Sequence, residues 1–554
     1  MWRDTISNLV EYISTEKPSI WLVLSIFFVV IISIPLLAIF LSSIKVDYQI
    51  WKHINDYLIK SYVLNSVLLV IGVAILTTII GVSSAWWITF YDIPFKNILS
   101  ILLVLPIAIP PYAMAYCYAD ITDKGGIINY LFEFLNVDNL FFFIPSARSL
   151  PGAIFVLSLT LFPYVFLITK YAFNSNSMKT LESAANLGAS RIKLFLKFAV
   201  PISRPAIVAG ITLVIMESLA DFGVVHYLGV NSLAVGIYKA WFGFDDLNSS
   251  ARLASILLIF SLVVILTEKS FRKNKKENYV SYGKQNNISL LFSTKLLLPS
   301  ILVLTVIFFS LFIPFSWLIS NVLLHDLKNI KDVLISTFNS IKLALIGASL
   351  IVTFATIIAF TKRIYKTNFL SFVLNFSKIG YAAPGIVVAI GIISPTLYLD
   401  KKINYIFNLL DKDVGLIISS SLTILIFAYL VRFLSVAFNP IEAGMDKISK
   451  KIDYSAFNLG ASKNSLFFKI HFPMISISCL VGFLLVFIDI LKELPLTLIL
   501  RPFNFNTLSV TTFEYASSEQ LILASLPALL ITLIGLLPLI FINSVVSNRL
   551  DKEK

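Results

Sequence analysis

Uninterrupted apolar runs of about 20 residues constrain this chain more than any other feature, because that is the helix length needed to cross about 30 Å of hydrocarbon. Such runs fall near 20–43, 62–90, 98–118, 151–173, 203–229 and 251–267. A second set lies near 296–320, 338–361, 369–399, 414–437, 474–500 and 521–545. In lipid every backbone N–H and C=O must be satisfied internally, which leaves helices and closed barrels. The runs are continuous rather than alternating, so a barrel is excluded. Only 14% of the 554 residues are charged, against about 25% in soluble domains. The expectation is an all-α polytopic membrane protein with about 12 transmembrane helices. The first run has no A-x-A cleavage site and exceeds a signal h-region in length, so it reads as a retained helix.

Charge sets the orientation. With a cytoplasmic N-terminus, the inner segments hold about 25 Lys and Arg and the outer ones about 12, as the positive-inside rule requires. Both termini and the basic stretch 268–295, with Lys269, Arg272, Lys273, Lys275 and Lys276, then face the cytoplasm. Outer acids include Asp120, Asp123, Asp138, Asp245, Asp246, Asp400, Asp411 and Asp413. The formal charge of +13 follows from that enrichment rather than from nucleic-acid binding. Cys117 and Cys479 sit in apolar runs and suggest neither a disulfide framework nor a metal site. His53, His226, His325 and His471 show no ligand spacing.

The chain is a repeat of two six-helix halves. Asn65-Ser66 precedes Pro110 by the interval that separates Asn339-Ser340 from Pro384. ESAANLGASRIKLFLKFAVP, starting at Glu182, aligns without a gap to YSAFNLGASKNSLFFKIHFP, starting at Tyr454, with more than half the positions identical. An even number of helices per copy makes the repeats parallel, with a pseudo-two-fold axis along the membrane normal. The reading is an N-terminal lobe over 1–267, a cytoplasmic linker over 268–295 and a C-terminal lobe over 296–554.

The repeated segment is the least lipid-like part of each half. Lys179, Arg191, Lys193 and Lys197 accompany the first copy, and Lys447, Lys450, Lys451, Lys463 and Lys469 the second. Small residues come first, then a glycine that can adopt turn conformations others avoid, then an apolar-basic stretch ending in proline, which opens a helix at little cost. Two short amphipathic helices bent at the glycine are expected, with small side chains that let another surface approach.

This pattern resembles the EAA loop of ABC-importer permeases (E-A-A, three residues, G, nine residues, I-x-L-P). The first copy matches at Glu182, Ala184, Gly188 and Pro201, with Ser183, Phe198 and Val200 as departures. The second matches at Ala456, Gly460, Ile470 and Pro473, with Ser455 and Phe472 departing and Tyr454 where the glutamate belongs, next to Asp453. The resemblance implies a MetI-like permease fold and docking of both loops on an ATPase subunit, supplied as two copies. Coupling would then run through Glu182, Ser183, Ala184, Asn186, Gly188 and Pro201, and through Tyr454, Ala456, Asn458, Gly460 and Pro473. No G-x-x-x-x-G-K-[ST] occurs, so nucleotide and Mg belong to the partner and this chain binds no cofactor.

Downstream of each loop, Glu217 aligns with Asp489 and Asp221 with Glu493. These are the acids inside the expected spans, and an i, i+4 spacing would put each pair on one helix face. Acids in lipid cost about 2.5–3.5 kcal/mol, so they should face the bundle interior. There they either line a path for a hard cation, which oxygen ligands suit, or pair structurally with Lys492, Arg501 or backbone amides. The ADFG, IYKAWFG and KELPLTLILRPF segments resemble fused ferric-iron permeases of bacterial inner membranes, which work with a periplasmic binding protein. Thiamine permeases share the plan and are the nearest alternative. An ion-coupled secondary transporter would also carry intramembrane acids but has no need of two matching docking loops. Outer segments 120–148 and 241–248 are candidate docking surfaces for the binding protein.

Overall fold

The computed structural model describes residues 20–44, 48–135, 146–176, 178–273, 297–324, 329–365, 383–409 and 414–552. Asp138, His325, Asp411, Asp413, Lys275 and Lys276, and the start of the expected span 369–399, lie outside them. Among the described residues the regular structure is helical. In chain order the main helices are α1 (Ile20–Ile44), α2 (Ile59–Phe90), α3 (Pro111–Thr122), α4 (Leu150–Asn176) and α5 (Met178–Asn186). Next come α6 (Arg204–Ala220), α7 (Leu247–Lys273), α8 (Ile313–Leu324), α9 (Ile330–Ile364) and α10 (Gly385–Asn408). The last are α11 (Leu422–Lys447), α12 (Lys450–Asn458), α13 (Phe472–Lys492) and α14 (Leu521–Lys552).

Nine helices among the described residues are long and apolar enough to cross a membrane, or up to 11 if each of two bent pairs is one span. The expected span 98–118 is not continuous. It divides into Lys96–Leu102, a 3-10 turn over Leu105–Ala108, and α3. Pro106, Pro110 and Pro111 explain the division, since each lacks an N–H and crowds the preceding turn. The stretch 268–295, expected as linker, begins as helix: α7 runs on to Lys273.

The chain forms two compact units, and they are not its two halves. One contains 1–47, 245–255 and 334–507; the other contains 48–244, 256–333 and 508–554. Each unit therefore takes in the opening helix of the opposite half, α1 in the first and α8 in the second. In the first unit α11 packs along α13 and α1 along α10. Close approach comes from missing side chains: a Cβ on Gly391 would lie 2.5 Å from the Pro35 carbonyl oxygen of α1. Ser25 of α1 adds a buried hydrogen bond to Thr361, 2.8 Å.

In the second unit α2 and α6 both pack on α4. The repeat is visible in a single contact of each unit. A Cβ on Gly210 of α6 would lie 3.0 Å from Val165 Cα of α4, and one on Gly482 of α13 would lie 3.2 Å from the Ala437 carbonyl oxygen of α11. Without a hydrophobic drive between helices in lipid, small residues of this kind set how closely they associate.

Candidate functional site

Each repeated loop folds as helix, glycine turn, helix. The first is α5 followed by Arg191–Leu194, and the second is α12 followed by Lys463–Leu466. At the turn, the Gly188 N–H donates to the Ala185 carbonyl (2.9 Å) and the Ala189 N–H to that of Ala184 (3.1 Å). In the second copy Gly460 donates to Phe457 (2.9 Å) and Ala461 to Ala456 (3.0 Å). This is a Schellman C-cap, which needs a left-handed residue; the φ values are 83° at Gly188 and 79° at Gly460. Each second helix passes through one π turn, Phe195–Ala199 or Phe467–His471.

Exposure separates two faces. Leu187 and Leu459, just before each glycine, are both 88% exposed, and Ile192, Leu196, Tyr454 and Phe468 are exposed as well. Glu182 is half-buried, while Ser183, Asn186, Pro201, Asn458 and Pro473 are exposed. Ala184 and Ala456 are buried. Ala184 and Ala456 therefore pack inward against their own protein, while Ser183 and Ser455 stay on the exposed face.

Anchoring of the second helix is shared. Arg191 lies over the Tyr91 ring, 5.9 Å, and Lys463 over Tyr365, 4.9 Å. Phe195 packs on Trp86 (5.2 Å) and Phe467 on Phe360 (4.9 Å). After the loop the copies part. Between Arg191–Ile202 and α6 the chain bends by 74°, whereas Lys463 to Lys492 counts as one span. Pro205 stands at the start of α6; the second copy has Ile477 there.

Anchoring of the first helix is not shared. Among the described side chains its buried positions are Leu181 and Ala184 in α5, and Asp453 and Ala456 in α12. A carboxylate at such a position is costly unless paired and hydrogen-bonded. Both Nε and Nη2 of Arg363, at the end of α9, reach Asp453 Oδ2 (2.9 and 2.8 Å). The fully buried His471 places Nε2 2.7 Å from Oδ1. Asp453 is thus turned inward and does not stand in for the glutamate that Tyr454 replaces.

The four intramembrane acids sit around helix breaks. The i, i+4 pairs do not share a helix face, because α6 ends at Ala220 and α13 at Lys492. Asp221 and Glu493 follow in extended backbone (ψ 128° and 118°). Their carboxylates turn to the next short helix. Asp221 accepts from the amides of Val224 (3.0 Å) and Val225 (3.4 Å), and Glu493 from that of Leu496 (3.3 Å). Orphan N–H groups at a helix start favour an acid, and Pro495 fixes the second break.

The segment after each break is held from behind. Asn65 donates to the Asn231 carbonyl (3.0 Å) and Asn339 to that of Asn506 (3.1 Å). The Ser66 hydroxyl accepts from the Leu233 amide (2.9 Å). The repeated asparagine thus pins irregular backbone in both copies, and Ser66 adds a second bond in the first. A small cavity in the second unit is lined by Ser66, Ser218, Asp221, Ser232 and Leu257, among others.

In the C-terminal half two of the acids meet a base. Lys492 pairs with Asp489 at 2.9 Å, as one sequence alternative had it. Glu493 pairs with Arg432 at 3.4 Å, both side chains nearly buried. Arg432 escaped notice in the sequence, although a lone arginine inside the apolar run 414–437 was the available signal. Gly385 makes room for the pair, since a Cβ there would collide with both side chains. Among the described residues no three His, Cys, Asp or Glu side chains converge as a metal site. Cys117 and Cys479 are buried thiols.

Comparison with known proteins matches residues 77–272 and again 369–552 to one family, described as "Binding-protein-dependent transport system inner membrane component". The chain is 23% identical over 495 residues to the Fe(3+)-transport system permease protein FbpB 2 of Haemophilus influenzae, covering 86% of this chain and 88% of that protein. It is 25% identical over 485 residues to the ferric transport system permease protein FbpB of Actinobacillus pleuropneumoniae, covering 82% and 67%. The sulfate transport system permease protein CysT of Salmonella typhimurium aligns at 25% identity with 44% of this chain and 87% of its own length.

Proposed function

The chain belongs to the family of inner membrane components of binding-protein-dependent transport systems, and from that premise we propose that it is the fused permease of an ATP-driven importer of ferric iron. One observation supports the cargo above the rest. The two ferric relatives align along more than four fifths of this chain, whereas the sulfate relative spans less than half of it. A chain that carries both lobes is the plan of the ferric relatives.

In this reading a periplasmic binding protein delivers the cargo, and an ATPase in two copies docks on the loops at Gly188 and Gly460 from the cytoplasm, where both termini also lie. The exposed Leu187, Ile192 and Leu196, and Tyr454, Leu459 and Phe468, give each loop an apolar face. Exposed apolar groups of this kind mark interaction sites. Closure of the ATPase pair moves α5 and α12, and the turn passes that motion through the π segment to α6 and α13. Those helices end at Asp221 and Glu493, so the motion reaches the carboxylates at the breaks. Broken helices with ion-coordinating ends are how transporters build sites at membrane depth. Glu217, Asp221, Asp489 and Glu493 are the oxygen donors a hard cation would pass.

The test is uptake into proteoliposomes carrying the chain with its ATPase and binding protein, offered labelled Fe(III) or labelled thiamine. Iron accumulation that needs ATP and the binding protein is the expected result. Thiamine accumulation would overturn the cargo, and uptake without the ATPase would overturn the mechanism.

A further inference from the structure

Arg363 does more than neutralise one aspartate. Besides Asp453 it donates to the carbonyls of Met445, Ile448 (3.0 Å) and Ser449 (3.4 Å). Those oxygens lie at and just beyond the end of α11, where the regular i→i+4 ladder of carbonyl bonds stops and a cation is favoured by the helix dipole. One guanidinium at the end of α9 thereby holds the end of α11 and the start of α12, and through Asp453 and His471 the foot of α13. The five donors of its rigid fork can meet all of these acceptors at once, which a lysine could not do.

The His471 ring is consistent with a fixed arrangement. Its Nδ1 is buried without a hydrogen-bond partner, so the economical tautomer keeps the proton on Nε2, donated to Asp453. At the aligned positions of the first copy stand Leu181 and Ala199, both buried, and Thr89 aligns with Arg363 by the interval between Asn65 and Asn339. The same seat carries no charge there. The exchange coincides with loss of the glutamate, since the first copy has Leu181-Glu182 and the second Asp453-Tyr454.

We propose that Arg363 is a positioning residue for coupling: the buried Arg363–Asp453–His471 cluster fixes the second docking loop from inside the permease, so that this loop transmits ATPase closure without the glutamate that Tyr454 replaces. The inference rests on the reading of both loops as ATPase docking elements. It predicts that breaking the cluster loosens transmission while the docking face, with Tyr454, Leu459 and Phe468, stays intact. The ATPase remains bound, but its work no longer reaches α13.

The experiment compares Arg363→Met, Asp453→Asn and wild type in proteoliposomes with the ATPase and binding protein, measuring ATP hydrolysed per cargo transported. The expected result is a rise of about ten-fold in that ratio, within the usual range of coupling effects, with the ATPase co-purifying as in wild type. Asp453→Asn keeps shape and removes only charge, so it carries the test if Arg363→Met fails to accumulate. Replacing the cluster with the first copy's residues (Arg363→Thr, Asp453→Leu, His471→Ala) leaves no unpaired charge buried and should still raise the ratio, because the loop then has neither the cluster nor the glutamate; a wild-type ratio in this variant would overturn the inference. An unchanged ratio in both single variants, or loss of ATPase binding in step with uptake, overturns the inference. A wild-type complex whose hydrolysis ignores the binding protein would instead remove the docking reading itself.

Discussion

The two halves of this permease share their backbone devices and differ in their electrostatics. Both have the Schellman turn at glycine, the π segment, the break after the intramembrane acid and the asparagine that pins the following loop. In the C-terminal half, Asp453, Asp489 and Glu493 each face a base: Arg363, Lys492 and Arg432. In the N-terminal half the position of Asp453 is Leu181, that of Lys492 is Ala220, and that of Arg432 is Thr160, whose hydroxyl bonds back to its own helix. After duplication, then, the backbone geometry was kept while charge at equivalent places diverged. Backbone geometry is held by many residues together, whereas a buried ion pair stands or falls with two.

The strongest challenge to this comparison is Arg432→Met. It strands Glu493 in a buried site and should cost about 3–5 kcal/mol, while Thr160→Val should cost at most about 1 kcal/mol. Thermal unfolding of the purified chain in detergent checks both, and equal losses would erase the contrast between halves. Gly188→Asp and Gly460→Asp probe what is shared. A Cβ at either position meets open space, so the cost comes from the left-handed backbone, about 1–2 kcal/mol in each copy. Both variants should insert normally and uncouple uptake from hydrolysis; normal transport by one alone would show that the two turns do different work.

A smaller effect is expected at the two asparagine pins. Asn65→Ala and Asn339→Ala each remove one hydrogen bond to irregular backbone, about 1 kcal/mol. Hydrogen exchange at 231–233 and 506–508 should rise to a similar degree in the two variants, and a rise confined to one would break the symmetry. The smallest effect is a pH dependence at a feature of the C-terminal half alone. Burial pushes the Asp400 carboxyl up, but the Ser419 hydroxyl and the amides of Ile418 and Ser419 outweigh it and hold the group below its ordinary 3.8. A depressed native pKa stabilises above the unfolded value and is lost as pH falls through the folded one. The stability advantage of wild type over Asp400→Asn should therefore be full at neutral pH and shrink as pH drops below 3.8. An advantage that grows on acidification would reverse the assigned sign.

Periodicity and local chemistry were readable from residues alone. The apolar runs place the main spans, and the ESAANLGAS repeat yields helix, glycine turn and helix because Gly188 and Gly460 admit φ values closed to other residues. The inward aspect of Ala184 was not readable, since a small residue suits a close partner and a close neighbour equally. Nor were the helix ends at Ala220 and Lys492, although Pro495 marks the second. The bases that answer Asp453 and Glu493 come from 60 to 90 positions earlier in the chain, and nothing local to an acid reveals them. Exchange of α1 and α8 between the units depends on tertiary contacts that hydropathy does not encode.

That exchange bears on how the protein is made. Helix α1 leaves the ribosome first, yet most of its unit, 334–507, is made only after some 290 further residues. At about 5–20 residues per second this is a wait of roughly 15–60 s, during which Trp21 and Ser25 lack the Asn464 and Thr361 side chains they finally bond. The second unit likewise closes only when 508–554 arrive. Neither unit can therefore be completed before residue 507 is made, and a chain terminated short of it would leave both units open for the quality-control proteases of the membrane.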